Sequence, residues 1–76
     1  MATVYKGVTY NDRHGGPFDR GSADSYYQRG RDPHYYQGNT GMSTRLEKSH
    51  MLESDIAAYN AGYDYNEESG DKKNYD

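Results

Sequence analysis

Tyrosine is the residue from which this chain has to build its core. The sequence has ten tyrosines and one phenylalanine, whereas its branched aliphatic residues are only Val4, Val8, Leu46, Leu52 and Ile56. A chain of 76 residues buries a smaller fraction of its surface than a larger domain does, and is only marginally stable. We therefore expect one small domain in which tyrosine rings face inward while their hydroxyls reach the surface or a hydrogen-bond partner.

The composition also restricts the cellular compartment of the protein and the kinds of site that it can form. The sequence contains no cysteine, which excludes disulfides and thiolate metal sites. No apolar run reaches the length of a signal-peptide core or a membrane-spanning helix, so we expect a cytoplasmic protein without a membrane partner. His14, His34 and His50 lack the spacing of paired metal ligands, and a thin core offers little support for a catalytic site. We predict no enzyme activity, catalytic residue, metal or cofactor.

Residues 1–10 form the predicted β segment. The stretch TVYKGVTY, residues 3–10, is rich in valine, threonine and tyrosine, which favour strands. Lys6-Gly7 at its centre is either the turn of a tight hairpin or a bulge in a single strand. We favour two short strands that turn at Lys6-Gly7.

The Arg/Tyr loop region over residues 11–38 is predicted to hold one short helix. Asparagine, aspartate, glycine and proline mark residues 11–21 as loop. Ser22 can cap a helix over residues 23–29, and Gly30 can end it.

An amphipathic helix over residues 51–70 is the clearest predicted element, and it follows a linker over residues 39–50. Apolar residues recur at the spacing of one helix face, and they are Leu52, Ile56, Tyr59 and Tyr63. Ser54 is the expected N-cap, with Ser49 as the alternative, and Ser69-Gly70 is the expected stop.

Gly62 lies inside this predicted helix, where glycine costs about 1 kcal/mol relative to alanine. A glycine there can let another backbone approach closely. Residues 71–76 are expected to fray. Together these elements predict a small single α+β domain: an N-terminal hairpin, a loop-rich Arg/Tyr centre with a short helix, and a C-terminal amphipathic helix that packs under the central tyrosine pairs.

Residues 17–36 combine arginines with two tyrosine pairs, which favours a recognition surface. Arginine and tyrosine are enriched at interface hot spots, and planar guanidinium groups stack on aromatic rings. The candidate partner-binding residues are Arg20, Tyr26, Tyr27, Arg29, Arg31, His34, Tyr35 and Tyr36. The rival interpretation is that each arginine pairs with a neighbouring aspartate and stacks on a tyrosine to hold the fold.

Charge is unevenly distributed along the chain. Residues 1–38 carry five basic and four acidic side chains, a net +1, whereas residues 39–76 carry four basic and eight acidic ones, a net −4. Phosphate binding depends on net positive density, which the central aspartates nearly cancel. Nucleic acid is therefore the second choice of partner, after protein, and self-association is a further use of the exposed rings.

Two blocks resemble a set of small proteins of tailed bacteriophages. They are DRGSADSYYQRGRDPHYY, residues 19–36, and AAYNAGYDYNEESGDKKNY, residues 57–75, of which DRGSADSYY is the more specific. The resemblance covers about half of the chain and implies an accessory protein in the cytoplasm of an infected bacterium, with no assigned activity. Residues 57–66 are also similar to the Tyr-x-x-Gly segment of ribosome modulation factor.

We therefore expect a non-enzymatic phage-encoded protein that binds and modulates a host or phage protein. Inhibition of a bacterial defence component is one form of this function. A nucleic-acid- or ribosome-associated binding factor is the first alternative, and a minor structural protein of the virion is the second.

Overall fold

The computed structural model describes residues 2–38 and 44–74, which form one small α+β domain, as the sequence predicts. Its elements are β1 (Ala2–Tyr5), β2 (Val8–Asn11), α1 (Pro17–Tyr26), β3 (His34–Tyr36), β4 (Arg45–Glu47), a 3-10 turn (Lys48–His50) and α2 (Glu53–Ser69). β1 pairs with β2 and β3 pairs with β4, giving two separate antiparallel sheets of two strands each. Neither described helix combines the length and the apolar character needed to cross a membrane.

Two glycines allow the helices to cross in direct backbone contact. A Cβ atom built on Gly21 of α1 would lie 1.9 Å from the Tyr59 carbonyl oxygen of α2. One built on Gly62 would lie 2.0 Å from the Phe18 carbonyl oxygen of α1. No side chain fits at such distances, so this crossing requires glycine on both helices. The close approach expected at Gly62 is confirmed, and Gly21 is its counterpart.

The core around this crossing is small and largely aromatic. Phe18, Tyr59 and Ala61 are the buried hydrophobic residues in the described part of the chain. Val4 and Val8, by contrast, are exposed. Rings thus replace aliphatic side chains inside the domain, as the composition predicts.

The predicted N-terminal hairpin is confirmed, with its turn at Lys6-Gly7. Both residues have positive φ, 49° and 80°, as a two-residue type I′ turn requires. On the inward face, Tyr10 stacks on Phe18 with ring centroids 5.3 Å apart. Tyr5 meets Tyr65 of α2 edge-on at 5.8 Å. The hairpin therefore covers the aromatic core beside the helix crossing.

Helix α1 begins at Pro17, so the prediction of loop through residue 21 with a cap at Ser22 is wrong. Pro17 is the first helical residue, where the missing N–H is not needed and the fixed φ suits a helix. The Asp19 carboxylate accepts a hydrogen bond from the Gly15 N–H at 2.9 Å. Glycine and proline here mark a helix start, not continued loop.

The end of α1 also differs from the predicted stop at Gly30. The helix ends at Tyr26, and Gln28 adopts a left-handed φ of 59°. The Arg29 N–H then donates to the Asp24 carbonyl oxygen at 2.8 Å. Gln28 and Arg29 thus form a turn that closes the C-terminal end of α1.

A second hairpin, formed by β3 and β4, was not predicted. The Tyr36 N–H donates to the Gly15 carbonyl oxygen at 2.8 Å, and the Arg13 guanidinium donates to the carbonyl oxygens of Tyr36 and Gly38 at 2.8 and 3.3 Å. The predicted linker over residues 39–50 is wrong where β4 and the 3-10 turn lie. Its first part, residues 39–43, lies outside the described residues.

Helix α2 spans Glu53–Ser69, close to the predicted 51–70, but its start is shifted. Leu52, not Ser54, is the N-cap residue, and it is 70% exposed. The prediction of Leu52 as a packing residue is wrong because the helix begins at Glu53. Leu52 therefore lies before the first helical turn, where the spacing of the helix face does not apply. Tyr59 is buried, whereas Ile56 and Tyr63 are half-buried. Gly70 ends the helix with a φ of 73°, as predicted.

Residues 71–74 are held against α1, so the predicted fraying of the tail is wrong for this part. The Lys73 N–H donates to the Tyr26 carbonyl oxygen at 2.7 Å. Lys72 Nζ donates to the carbonyl oxygen and the hydroxyl of Ser25 at 3.1 and 3.0 Å. The Lys73 N–H thus satisfies the Tyr26 carbonyl at the end of α1, where helices leave such groups unpaired. Lys72 adds a second donor to the Ser25 carbonyl, which also accepts the Gln28 N–H. Residues 75 and 76 lie outside the described residues.

Alanine at either crossing glycine should destabilise the domain. Gly62→Ala gains about 1 kcal/mol of helix propensity, but its Cβ would overlap the Phe18 carbonyl oxygen. Because the obstacle is backbone, we expect a net loss of at least about 2 kcal/mol in the free energy of unfolding. Urea unfolding followed by far-ultraviolet circular dichroism measures this.

Gly30→Ala is the matched control for this experiment. A Cβ on Gly30 meets nothing within 4 Å, so its free energy of unfolding should stay within about 0.5 kcal/mol of wild type. Equal unfolding midpoints for Gly62→Ala and Gly30→Ala would contradict the close crossing of the helices.

Lys72→Ala should destabilise the domain, and its neighbour Lys73 provides the control. Lys72→Ala removes two hydrogen bonds to Ser25, for an expected loss of about 1 kcal/mol, or about 4–8 °C in the melting temperature. Lys73→Ala keeps its backbone hydrogen bond to Tyr26 and should have the melting temperature of wild type. Identical melting of the two variants would show that the Lys72 side chain does not stabilise α1.

The stabilising effect of Lys72 should depend on pH in the acid range. Its hydrogen bond to Glu67, followed by that from Ser25, lowers the pKa of the Glu67 carboxyl. A carboxyl with a lowered pKa stabilises the fold above its ordinary pKa of 4.5 and loses this effect as the pH falls. The melting difference between wild type and Lys72→Ala should therefore shrink below pH 4.5, and a constant difference would contradict the pairing.

Candidate functional site

A buried hydrogen-bonded group joins both helices to the segment that precedes β3. The fully buried Tyr59 hydroxyl donates to the Asp24 carboxylate and accepts a hydrogen bond from the Asp32 N–H at 2.9 Å. The buried His34 lies with Nδ1 at 2.7 Å from the Asp32 carbonyl oxygen. A carbonyl oxygen can only accept, so His34 Nδ1 carries the hydrogen. These bonds fix residues 29–34 relative to α1 and α2.

Asp24 is the charged centre of this group. Its side chain is only 2% exposed, and a buried carboxylate is tolerated only when it is paired and hydrogen-bonded. Arg29 supplies the charge, with Nη1 at 2.9 Å from Asp24 Oδ1, and Tyr59 supplies a second donor. Burial, and then the hydrogen bond to Asp24, raises the pKa of the Tyr59 hydroxyl far above its ordinary value. The hydroxyl therefore remains a neutral donor.

Three arginines surround a cleft of about 400 Å³ next to this buried group. The residues that line the cleft are Asp24, Arg29, Gly30, Arg31, Asp32, His34 and Arg45. The side chains of Arg29, Arg31 and Arg45 are 54%, 44% and 37% exposed. The cleft therefore has a buried acidic and histidine floor and a rim of accessible guanidinium groups.

Two of these arginines stack on tyrosines. The Arg29 guanidinium lies 4.9 Å from the Tyr27 ring centroid, and that of Arg31 lies 4.3 Å from the Tyr63 ring centroid. The Tyr63 hydroxyl also donates to the Arg29 carbonyl oxygen at 2.7 Å. We call Tyr27, Arg29, Arg31, Arg45 and Tyr63 the Arg–Tyr face. Stacking restrains the long arginine side chains of this face.

The pairing of β3 with β4 brings Arg45 to the cleft. Tyr36 lies opposite Arg45 in the sheet register. Arg45 Nη2 donates to Asp32 Oδ2 at 2.8 Å, and Arg45 Nε donates to Glu47 Oε1 at 2.7 Å. The hydrogen bond to Glu47 is the main reason that the pKa of Arg45 is raised. Arg45 thus stays charged and joins the hairpin to the segment before β3.

The predicted partner-binding residues do not lie on one surface. Tyr27, Arg29 and Arg31 belong to the Arg–Tyr face. Arg20 and His34 are buried, so the expectation that they contribute to an exposed surface is wrong. That expectation rests on the concentration of arginines and aromatic residues in residues 17–36, which does not indicate which of them are buried. In this small core, buried polar groups make up for scarce aliphatic side chains.

The other three candidates lie elsewhere. Tyr26 is half-buried, and its ring meets that of Tyr27 edge-on at 5.0 Å. Tyr35 lines a second cleft of about 320 Å³ between the loop before α1 and the start of α2. Tyr36 packs edge-on against His34 at 5.8 Å. A binding role for these three tyrosines stays a prediction.

Sequence reasoning missed Arg45 and assigned Tyr63 to the helix packing face alone. Arg45 lies in the stretch predicted as linker, and a strand of three residues is too short to show an alternating pattern. Tyr63 is on the predicted face but only half-buried, which leaves its ring available to Arg31. The charge of Arg45 was a visible signal, but its place at the cleft depends on the pairing of β3 with β4.

Within residues 2–38 and 44–74, no group of three or more histidine, aspartate or glutamate side chains is arranged to hold a metal ion. No protein-family model, curated protein or solved structure matches this chain.

Removing the Tyr59 hydroxyl should destabilise the domain. Tyr59→Phe leaves Asp24 with one donor fewer and the Asp32 N–H without its acceptor, for an expected loss of about 1–3 kcal/mol. Tyr65→Phe, at an exposed ring, is the control and should unfold at the wild-type urea concentration. Equal stability of the two variants would show that the hydroxyl of Tyr59 is not part of the fold's support.

Comparison of wild type with Tyr59→Phe also gives a test at alkaline pH. Because the pKa of Tyr59 is raised in the folded state, its hydroxyl stabilises the fold below its ordinary pKa of 10.0 and loses this effect as the pH rises further. The free-energy difference between wild type and Tyr59→Phe should therefore narrow above about pH 10. A difference that stays constant or widens up to pH 11 would contradict this.

Proposed function

We propose that this chain is a non-enzymatic, phage-encoded accessory protein that binds and modulates a host or phage protein in the cytoplasm of an infected bacterium. Inhibition of a bacterial defence component is the form of modulation that we favour. The observation that carries the proposal is the Arg–Tyr face, where Arg29 and Arg31 lie against the rings of Tyr27 and Tyr63 beside a cleft.

The residue types and their restraint support a protein partner. Arginine and tyrosine are enriched among the residues that dominate protein–protein binding. Side chains that are already held in place lose less conformational entropy on binding. A standard interface buries about 800 Å² on each partner, a sizeable share of the 4843 Å² surface of the described chain. Such an interface involves about 20–30 residues on each side, so the five residues of the Arg–Tyr face would form its centre rather than all of it.

The charge arrangement favours protein over nucleic acid. Arg29 pairs with Asp24, Arg31 with Asp64, and Arg45 with both Asp32 and Glu47. Tracking a phosphate backbone requires uncompensated positive charge, which these pairs reduce. The resemblance of residues 19–36 and 57–75 to small phage proteins supports the biological setting, and residues 19–36 include three of the five residues of the face.

The proposal is tested by affinity purification of the tagged chain from infected and uninfected bacterial lysates. Wild type should retain a protein at near-stoichiometric amount, and Arg31→Ala should retain at least about tenfold less, as expected for a hot-spot arginine. Lys6→Ala is the matched control, because Lys6 also stacks on a tyrosine, at 5.4 Å from the Tyr5 centroid, but does not line the cleft. It should retain the partner fully.

Three results would contradict the proposal. The first is that no protein is retained near stoichiometry from either lysate. The second is salt-sensitive recovery of RNA or DNA instead, which would favour the nucleic-acid- or ribosome-associated alternative. The third is recovery of the chain in purified phage particles, which would favour a structural role in the virion.

A further inference from the structure

We infer that the outer edge of β1 pairs with the same edge of a second copy of this chain. The pairing joins the two N-terminal hairpins into one four-stranded antiparallel sheet. This inference is independent of the proposed function, because it concerns the hairpin and not the Arg–Tyr face. It follows from the backbone groups that the hairpin leaves unpaired and from the residues beside them.

The register of the hairpin shows which backbone groups of β1 point away from β2. Tyr5 lies opposite Val8 across the two-residue turn, and such a turn closes on a hydrogen-bonded pair. Hydrogen-bonded and non-hydrogen-bonded pairs alternate along antiparallel strands, so Val4, opposite Thr9, belongs to a non-hydrogen-bonded pair, and so does Ala2. The N–H and C=O groups of Val4 and Ala2 therefore point to the outer edge. Both residues are exposed, Val4 by 66%.

Among the strands of residues 2–38 and 44–74, β1 has the edge that is least protected against pairing. Natural edge strands are protected by charged side chains, proline, bulges or a covering segment. The outer edge of β3 is covered, since Tyr36 is hydrogen-bonded to Gly15 and Arg13. β4 has a charged side chain at each end, Arg45 and Glu47, and β2 is followed directly by two charged residues. The sequence of β1, ATVY, contains no charged residue and no proline.

The edge of β1 is complementary to itself. Two β1 strands that pair antiparallel about a two-fold axis at Thr3 place Ala2 of each copy opposite Val4 of the other. The outward N–H and C=O groups of both residues then form hydrogen-bonded pairs, so each of these groups finds a partner. The two Thr3 residues lie opposite each other, and threonine pairs in this position stabilise a sheet.

Charge favours the hairpin as the place where two copies meet. The whole chain carries −3 and eight of its acidic residues lie in residues 39–76, so contacts between the C-terminal halves are repulsive. Residues 2–11 contain one charged side chain, Lys6. The two-fold pairing places the two lysines about 20 Å apart, six residues at about 3.3 Å each, which is twice the screening length of about 10 Å at about 0.1 M salt.

The carboxylate beside Thr3 does not oppose the pairing. One oxygen of Asp12 accepts the Thr3 hydroxyl at 2.6 Å, and its other oxygen is buried. This carboxylate therefore faces the interior of its own domain and not the second copy.

The size of the contact indicates a reversible dimer. β1 has four residues, whereas a standard interface has about 20–30 residues on each side. An isolated two-stranded hairpin is marginally stable, and further strands stabilise it. We therefore expect the dimer to form as the protein concentration rises and to dissociate on dilution.

The test compares proline substitutions on the two edges of the hairpin in the full chain. Val4→Pro removes an outward N–H of β1, and Thr9→Pro removes the matching N–H of β2; proline is tolerated at such edge positions. Sedimentation equilibrium over a concentration series up to the millimolar range measures the weight-average mass. Wild type and Thr9→Pro should rise from 8.7 kDa toward twice that mass, whereas Val4→Pro should stay at 8.7 kDa.

A lysine pair decides the question if either proline variant fails to fold, as judged by circular dichroism. Val4 and Thr9 lie opposite each other and both are exposed, so Val4→Lys and Thr9→Lys add the same charge to the same face. A lysine on an edge strand protects it against pairing. Val4→Lys should therefore stay monomeric at concentrations at which Thr9→Lys dimerises.

Nuclear magnetic resonance locates the contact directly. In a mixture of isotope-labelled and unlabelled chains, an intermolecular cross-peak is expected between the α-protons of the two Thr3 residues, which face each other in a non-hydrogen-bonded pair. Amide hydrogen exchange at Val4 should slow as the concentration rises, whereas exchange at Thr9 should not change.

Three results would overturn the inference. The first is a wild-type mass that stays at 8.7 kDa at millimolar concentration. The second is a dimer that Thr9→Pro abolishes and Val4→Pro keeps, which would place the contact on β2. The third is a monomeric wild type whose lysate partner is retained by Thr9→Pro and lost by Val4→Pro, which would assign the edge to a strand of another protein.

Discussion

The contact between the backbones of α1 and α2 at Gly21 and Gly62 is the constraint on which the rest of the structure depends. With no side chain at either position, the helices lie close enough for Tyr59 of α2 to reach the Asp24 carboxylate of α1. The same tyrosine hydroxyl accepts the Asp32 N–H. The segment that carries Arg29 and Arg31 is therefore positioned by its hydrogen bonds to the two helices, which meet it only because the helices cross so closely.

This dependence follows from the shortage of aliphatic side chains. A core built from Phe18, Tyr59 and Ala61 buries little apolar area, so hydrogen-bonded polar groups fill much of the interior. Asn66, for example, donates to the Ser25 hydroxyl at 3.0 Å and to the Asp71 carbonyl oxygen at 2.8 Å. Each such bond adds little when made but costs about 1–3 kcal/mol when a buried partner is left unsatisfied. The buried hydrogen bonds therefore specify one arrangement of the chain, but the free energy of unfolding of the domain is small.

Some of the fold was predictable because the signal was local. The turn at Lys6-Gly7 and the helix over 53–69 follow from glycine placement and apolar period, and Gly62 already indicated a close contact. The start of α1 was missed because glycine and proline were interpreted as loop residues, although Pro17 suits a first helical position. β3 and β4 have three residues each, too few for an alternating pattern to identify.

The site was only partly predictable for a similar reason. The sequence correctly suggested that arginines stack on tyrosines, but the ring on which Arg31 stacks and the third arginine of the cleft both come from elsewhere in the chain. Tyr63 reaches Arg31 through the helix crossing, and Arg45 arrives through strand pairing. Arg20 and His34 show the opposite error, since their burial depends on tertiary packing that residue type does not reveal.

The most direct measurement is a nuclear Overhauser spectrum of the isotope-labelled chain in solution, examined for contacts between the α-protons of Gly21 and the backbone protons of Tyr59 and Tyr63. The Cβ position of Gly21 lies 2.9 Å from the Tyr63 backbone nitrogen, so strong cross-peaks between these two residues are expected. A folded chain with a helical segment over 53–69 but no cross-peaks between Gly21 and α2 would contradict the glycine crossing, and with it the positioning of the Arg–Tyr face.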